Sequence, residues 1–123
     1  MDSLKVILVD DEEEFVNTVV ERLRMRGIAA DGAFGGAEAL ALMDDKKYDV
    51  AVVDYKMPGL SGQELMRQMT IKCPEIKTIL ITGHGFVPED EDDIQDVGEY
   101  YLVKPFSLDV LIRMMKDIRQ SEA

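Results

Sequence analysis

The sequence predicts an α/β protein: a doubly wound, five-stranded parallel sheet with helices on both faces. Three observations lead there. Short apolar runs alternate with stretches of helical periodicity along the chain. One run, Val50-Ala51-Val52-Val53, shows no polar alternation, as expected of a strand covered on both faces. Four of the runs end on polar residues, at Asp10-Asp11, Asp54, Thr82 and Lys104. In an open parallel sheet those ends share one edge, which is where ligands bind.

The elements follow in order. Leu4 to Val9 reads as a strand ending in Asp10-Asp11. Glu12 to Arg26 has helical period, with Phe15, Val16, Val19, Val20 and Leu23 in one stripe and Asn17, Glu21 and Arg24 facing away. Glu12 to Glu14 at its start and Arg22, Arg24 and Arg26 at its end suit the helix dipole, and Gly27 supplies the stop. Ile28 to Phe34 is a weaker strand, diluted by Ala and Gly32, and is expected near a sheet edge. Gly36 to Asp44 is a short helix expected to carry Ala37, Leu40 and Met43 inward.

Val50 to Val53 then runs into Asp54 and a Met57-Pro58-Gly59 turn. Ser61-Gly62-Gln63-Glu64 has the form of a capping box and opens a helix carrying Leu65, Met66 and Met69, which Pro74 ends. Lys77 to Ile81 is a further buried strand closing at Thr82-Gly83-His84-Gly85, and Tyr100 to Val103 is the last, closing at Lys104-Pro105. A final helix runs from Leu108 to Gln120. The topology also needs a crossover helix within 88–98, yet only Ile94 and Val97 offer apolar contact there and five consecutive acids repel one another. The expectation is an irregular or weak fourth helix.

Composition narrows the function classes. At 123 residues a single domain spanning 1–123 is expected, with any effector domain outside this stretch. A net charge of −11, from 25 acidic against 14 basic residues, argues against direct nucleic-acid contact, which needs clustered Lys and Arg. No apolar run is long enough for a bilayer, and Met1-Asp2-Ser3 does not open a signal peptide, so no membrane association is expected. The one cysteine, Cys73, permits no internal disulfide and suits a reducing, cytoplasmic compartment.

The polar strand ends carry the chemistry. With a strand order of 2-1-3-4-5, the strands ending in Asp10-Asp11 and Asp54 are central neighbours, and the next two bring Thr82 and Lys104 alongside. Three carboxylates within several Å repel by about 1 kcal/mol or more per close pair even when screened. Lys104 offsets one charge, and a hard divalent cation with oxygen ligands, Mg²⁺, would offset the rest. No His or Cys ligand set is present for zinc. Such a site suits phosphoryl transfer: Asp54, alone on the middle strand, as nucleophile, Asp10 and Asp11 on the metal, Lys104 and Thr82 receiving the phosphoryl oxygens.

With these residues in hand, the chain resembles the receiver domain of two-component response regulators. The likeness rests on Val6-Ile7-Leu8-Val9-Asp10-Asp11-Glu12, on Asp54 to Gly62, on Ile81-Thr82-Gly83-His84-Gly85 and on Tyr101-Leu102-Val103-Lys104-Pro105-Phe106. It implies a flavodoxin-like fold and a phosphorylation-dependent switch in which a sensor histidine kinase or phosphotransfer protein donates to Asp54. The backbone carbonyl of Lys56 would join Asp10, Asp11 and Asp54 around Mg²⁺, and Pro105 would follow a cis peptide bond. Thr82 and Tyr101 resemble the family's switch pair, while Lys56 and His84 match variable positions that tune hydrolysis. The family's output surface is its fourth helix, fifth strand and last helix. There this chain departs from pattern, with Val97-Gly98-Glu99 where Gly-Ala is usual.

In the last helix, Leu108, Leu111, Ile112, Met115 and Ile118 form a core stripe that Val110 and Met114 widen, which points to a partner or homodimer surface. The resemblance implies self-catalysed phosphoryl transfer and hydrolysis at Asp54 and otherwise a regulatory role. Two alternatives compete. One is a receiver-like interaction module that is not regulated by phosphorylation. The other is an aspartyl-phosphate phosphatase of the haloacid dehalogenase type, which needs a second Asp at position 56, where this chain has Lys.

Overall fold

The structure, a computed structural model, describes residues 4–83 and 100–120. Strands β1 (Lys5–Val9), β2 (Ala29–Ala33), β3 (Val50–Asp54), β4 (Lys77–Thr82) and β5 (Tyr101–Val103) form one sheet in the order β2-β1-β3-β4-β5. All four pairings are parallel. Helices α1 (Glu13–Met25), α2 (Gly36–Asp45), α3 (Gly62–Lys72) and the last helix (Leu108–Gln120) connect or follow them. The expected fourth-helix segment 88–98 and His84 lie outside the described residues.

Strand alternation splits the interior into two cores. Val6, Leu8, Val50, Val52, Ile79, Ile81 and Leu102 face α1 and the last helix, which contribute Val16, Val20, Leu23, Leu111, Ile112, Met115 and Ile118. The residues between them, Ile7, Val9, Ala51, Val53 and Leu80, face α2 and α3, which contribute Ala39, Leu65, Met66 and Met69. Strand β3 is buried at all five positions, as its unbroken apolar run predicts. The diluted β2 lies at one edge, as expected.

Helix ends follow local chemistry. Gly27 adopts φ +80 beyond α1, where its amide bonds Arg24 O and the Ile28 amide reaches back to Leu23 O, each at 3.0 Å. These two bonds make a Schellman stop, and Leu23 and Ile28 share the core beneath it. At the start of α3, Ser61 Oγ accepts from the Glu64 amide at 3.2 Å. The reciprocal half of the capping box is replaced: the Glu64 carboxylate accepts from Arg67 at 2.6 Å and Gln68 at 3.5 Å. Their positions one turn on make them nearer partners for a side chain that leans outward.

Helix α2 turns Leu40 and Met43 to the core as expected, but not Ala37. Ala37 is exposed and Ala39 is buried, with Leu40, Leu42 and Met43 packed partly against the same core. Tyr100, expected within the last strand, precedes it but still accepts from the Leu80 amide at 3.1 Å.

Candidate functional site

The carboxyl ends of the strands gather the polar residues singled out above. Asp10 follows β1, where its amide bonds Ala33 O at 3.1 Å and its side chain is fully buried. Its Oδ1 accepts from the Glu12 amide at 3.0 Å, fixing the turn into α1. Asp54 ends β3, is buried, and its Oδ1 accepts from the Lys56 amide at 3.4 Å. Asp11 is exposed beside them. One oxygen from each of Asp10, Asp11 and Asp54 lies within 4.8 Å of the others.

Glycine holds this edge closed from below. A Cβ at buried Gly62 would stand 2.2 Å from the Asp54 carbonyl oxygen and 2.9 Å from Tyr55 Cα. Only a residue without a side chain lets α3 begin this close to the strand that carries Asp54.

Lys104, after β5, reaches across the edge. Its Nζ donates to Asp10 Oδ2 at 2.7 Å and to Glu12 Oε1 at 2.9 Å. The ammonium also sits 4.4 Å from the centroid of the Phe15 ring, and Phe106 meets that ring edge-on with centroids 6.0 Å apart. Pro105 follows through a cis peptide bond, as expected. Thr82 is fully buried at the end of β4, and its hydroxyl donates to Leu102 O at 3.4 Å. Tyr101 is about half exposed on β5.

The charges act on one another. Burial pushes the Asp54 carboxyl up to about 6, and the neighbouring Asp10 adds to the rise, against a smaller opposing pull from Lys104 and the Lys56 amide. Burial alone would lower the Lys104 ammonium, but its bonds to Asp10 and Glu12 outweigh this and hold it above its ordinary value. An all-oxygen cluster of three carboxylates, two of them buried, fits a hard divalent cation such as Mg²⁺.

The structure therefore brings together Asp10, Asp11, Asp54 and Lys104, with the Lys56 amide on Asp54 and Thr82 one strand away. Two neighbours were not singled out as site residues from sequence. Glu12 reads there as a helix-start acid and Phe15 as a stripe residue, yet both touch Lys104. The available signal was position: Glu12 directly follows the acidic pair at the same sheet edge. Val110 is exposed on the last helix, whereas Met114 is half-buried and packs on the core.

Fold and edge together define a class: a doubly wound α/β module that concentrates carboxylates and one lysine at the carboxyl end of its sheet. The chain belongs to the response regulator receiver domain family, whose model matches residues 6–116. Its curated relatives include the C4-dicarboxylate transport transcriptional regulatory protein DctD of Rhizobium meliloti (strain 1021), 30% identical over 117 residues, covering 95% of this chain and 25% of that one. The alginate biosynthesis transcriptional regulatory protein AlgB of Pseudomonas syringae pv. tomato is 32% identical over 107 residues, covering 87% and 24%. The solved receiver domain of the Francisella response regulator 1452 superposes with TM-score 0.83 at 27% identity, covering 98% of this chain and 100% of that one.

This chain spans between about a quarter and about half the length of the curated relatives it matches. It is thus a receiver module of two-component signalling. Among the described residues no helix is long and apolar enough to cross a membrane.

Proposed function

We propose that this chain is a phosphorylation-driven switch in which Asp54 accepts a phosphoryl group from the phosphohistidine of a sensor kinase or phosphotransfer protein. The observation that carries the reading is the clustering of Asp10, Asp11 and Asp54 within 4.8 Å, with Lys104 bonded to one of them. A carboxylate oxygen of Asp54 attacks phosphorus as the P–N bond to the donor imidazole breaks and the electron pair stays on nitrogen. Asp10, Asp11, Asp54 and the Lys56 carbonyl would hold Mg²⁺, which when bound neutralises charge on the transferred group. Lys104 supplies a further positive charge, and Asp10 keeps it close by.

Readout passes from Thr82 to Tyr101. The Thr82 hydroxyl leaves Leu102 O for the phosphoryl group, and the exposed Tyr101 ring turns inward beside it. The surface of β5 and the last helix, with Val110 and Met114, then changes its affinity for a partner, an effector domain or a second copy. Lys56 and His84 tune hydrolysis of the acyl phosphate. In this reading residues 1–123 are one cytoplasmic receiver domain that makes no nucleic-acid contact of its own. Any contact with DNA belongs to an effector outside it.

Incubation with Mg²⁺ and a small phosphodonor, followed by intact mass, tests the reading. Wild type should gain one phosphoryl group and Asp54→Asn none; an adduct that persists in Asp54→Asn would overturn Asp54 as acceptor.

A further inference from the structure

We infer that Glu12 and Phe15 form a resting berth for the Lys104 ammonium, making Glu12 a positioning residue that competes for this cation with the phosphoryl group on Asp54. The inference rests on Asp54 as the acceptor.

The Lys104 ammonium donates to Asp10 at 2.7 Å and to Glu12 at 2.9 Å, and the Phe15 ring lies 4.4 Å away. Glu12 immediately precedes α1 and Phe15 lies in its first turn, so both contacts draw Lys104 towards that helix. The edge-on Phe106, two residues beyond Lys104, fixes the Phe15 ring in place.

The two carboxylates differ in how firmly they hold. Asp10 is fully buried, and its second oxygen is held by the Glu12 amide. The Glu12 side chain is 66% exposed, so water and salt compete with its contact. A phosphoryl dianion at Asp54 would therefore take Lys104 from Glu12 and leave the Asp10 bond in place. Resting and engaged positions of Lys104 differ by one weak, releasable contact. That contact lowers the readiness of the site for the incoming group.

The test compares wild type with Glu12→Gln and with Glu13→Gln, which removes the same charge one residue further along. The Lys104 Nζ resonance is followed by ¹⁵N NMR in metal-free protein, and affinity for beryllofluoride, a phosphoryl mimic, is measured at saturating Mg²⁺. Glu12→Gln should move the Nζ resonance and tighten beryllofluoride binding roughly two- to fivefold, the scale of an exposed ion pair. Glu13→Gln should change neither. An unmoved Nζ resonance in Glu12→Gln, or an equal gain in both variants, overturns the berth while leaving Asp54 as acceptor. A wild type that binds no beryllofluoride and forms no phosphoryl adduct overturns both.

Discussion

The Lys104 ammonium donates to Asp10 Oδ2 at 2.7 Å, joining the ends of strands β5 and β1 across 94 positions of sequence. Asp10 is fully buried, so this lysine is what makes its charge tolerable there. Removing one partner of such a pair leaves the other uncompensated. Lys104→Met should therefore destabilise the metal-free protein at pH 7 by about 1–3 kcal/mol in urea unfolding. Saturating Mg²⁺ should recover part of that loss. An unchanged urea midpoint would mean that water, not Lys104, balances Asp10.

The Asp54 carboxyl, raised to about 6 by burial and by Asp10, sets a pH dependence of stability. Its folded-state value lies above the ordinary carboxylate value, so the folded state binds the proton more tightly than the unfolded chain. Stability from this group is full below about pH 4 and is lost as pH rises through about 6. Asp54→Asn should flatten that limb and stabilise metal-free protein at pH 7 by on the order of 1–3 kcal/mol. Unfolding curves of both proteins between pH 4 and 8 give the comparison.

Gly62 is a steric requirement of the site. A Cβ there would lie 2.2 Å from the Asp54 carbonyl oxygen, and both nearest contacts are backbone, which cannot swing aside. Gly62→Ala should cost about 2 kcal/mol or more and shift the backbone amide resonances of Asp54 and Tyr55. A neutral effect would show that α3 can slide outward freely.

On the last helix, Val110 and Met114 should separate under substitution. Val110 is exposed, so Val110→Asp should weaken phosphorylation-dependent self-association while leaving stability within about 0.5 kcal/mol. Met114 packs against the core, so Met114→Asp should lower both. Sedimentation of phosphorylated protein with matched thermal melts distinguishes them. Association unchanged in Val110→Asp would remove this helix from the interface.

Much of this arrangement was legible in the residues. Five strands, their bounds to within a residue or two, and the edge placement of β2 follow from apolar runs and their breaks. The acidic cluster follows once the strand ends share an edge. The berth of Lys104 does not, because a contact between Glu12 at the head of one helix and Lys104 at the far end of the chain depends on side-chain reach rather than pattern. The direction of Thr82 was readable but subtle. Counting alternation forward from the core, Asp10, Asp54 and Lys104 continue the columns of Leu8, Val52 and Leu102, while Thr82 lies one residue past Ile81 and takes the other parity. Its hydroxyl accordingly bonds along the sheet to Leu102 O. In α2 only the alanine was misplaced, Ala39 being buried rather than Ala37, because several small alanines in ten residues mark the inward face weakly.

Strand β3 is paired on both sides and buried along its whole length, while β5 pairs only three residues with β4 and alternates exposed, buried, exposed. Amide protons along the two should therefore exchange with solvent on different clocks. Those of β3 wait for global unfolding, and those of β5 escape through local opening. The carboxylate of Asp54 is thus mounted on a strand paired on both sides, and Tyr101 on a short edge strand.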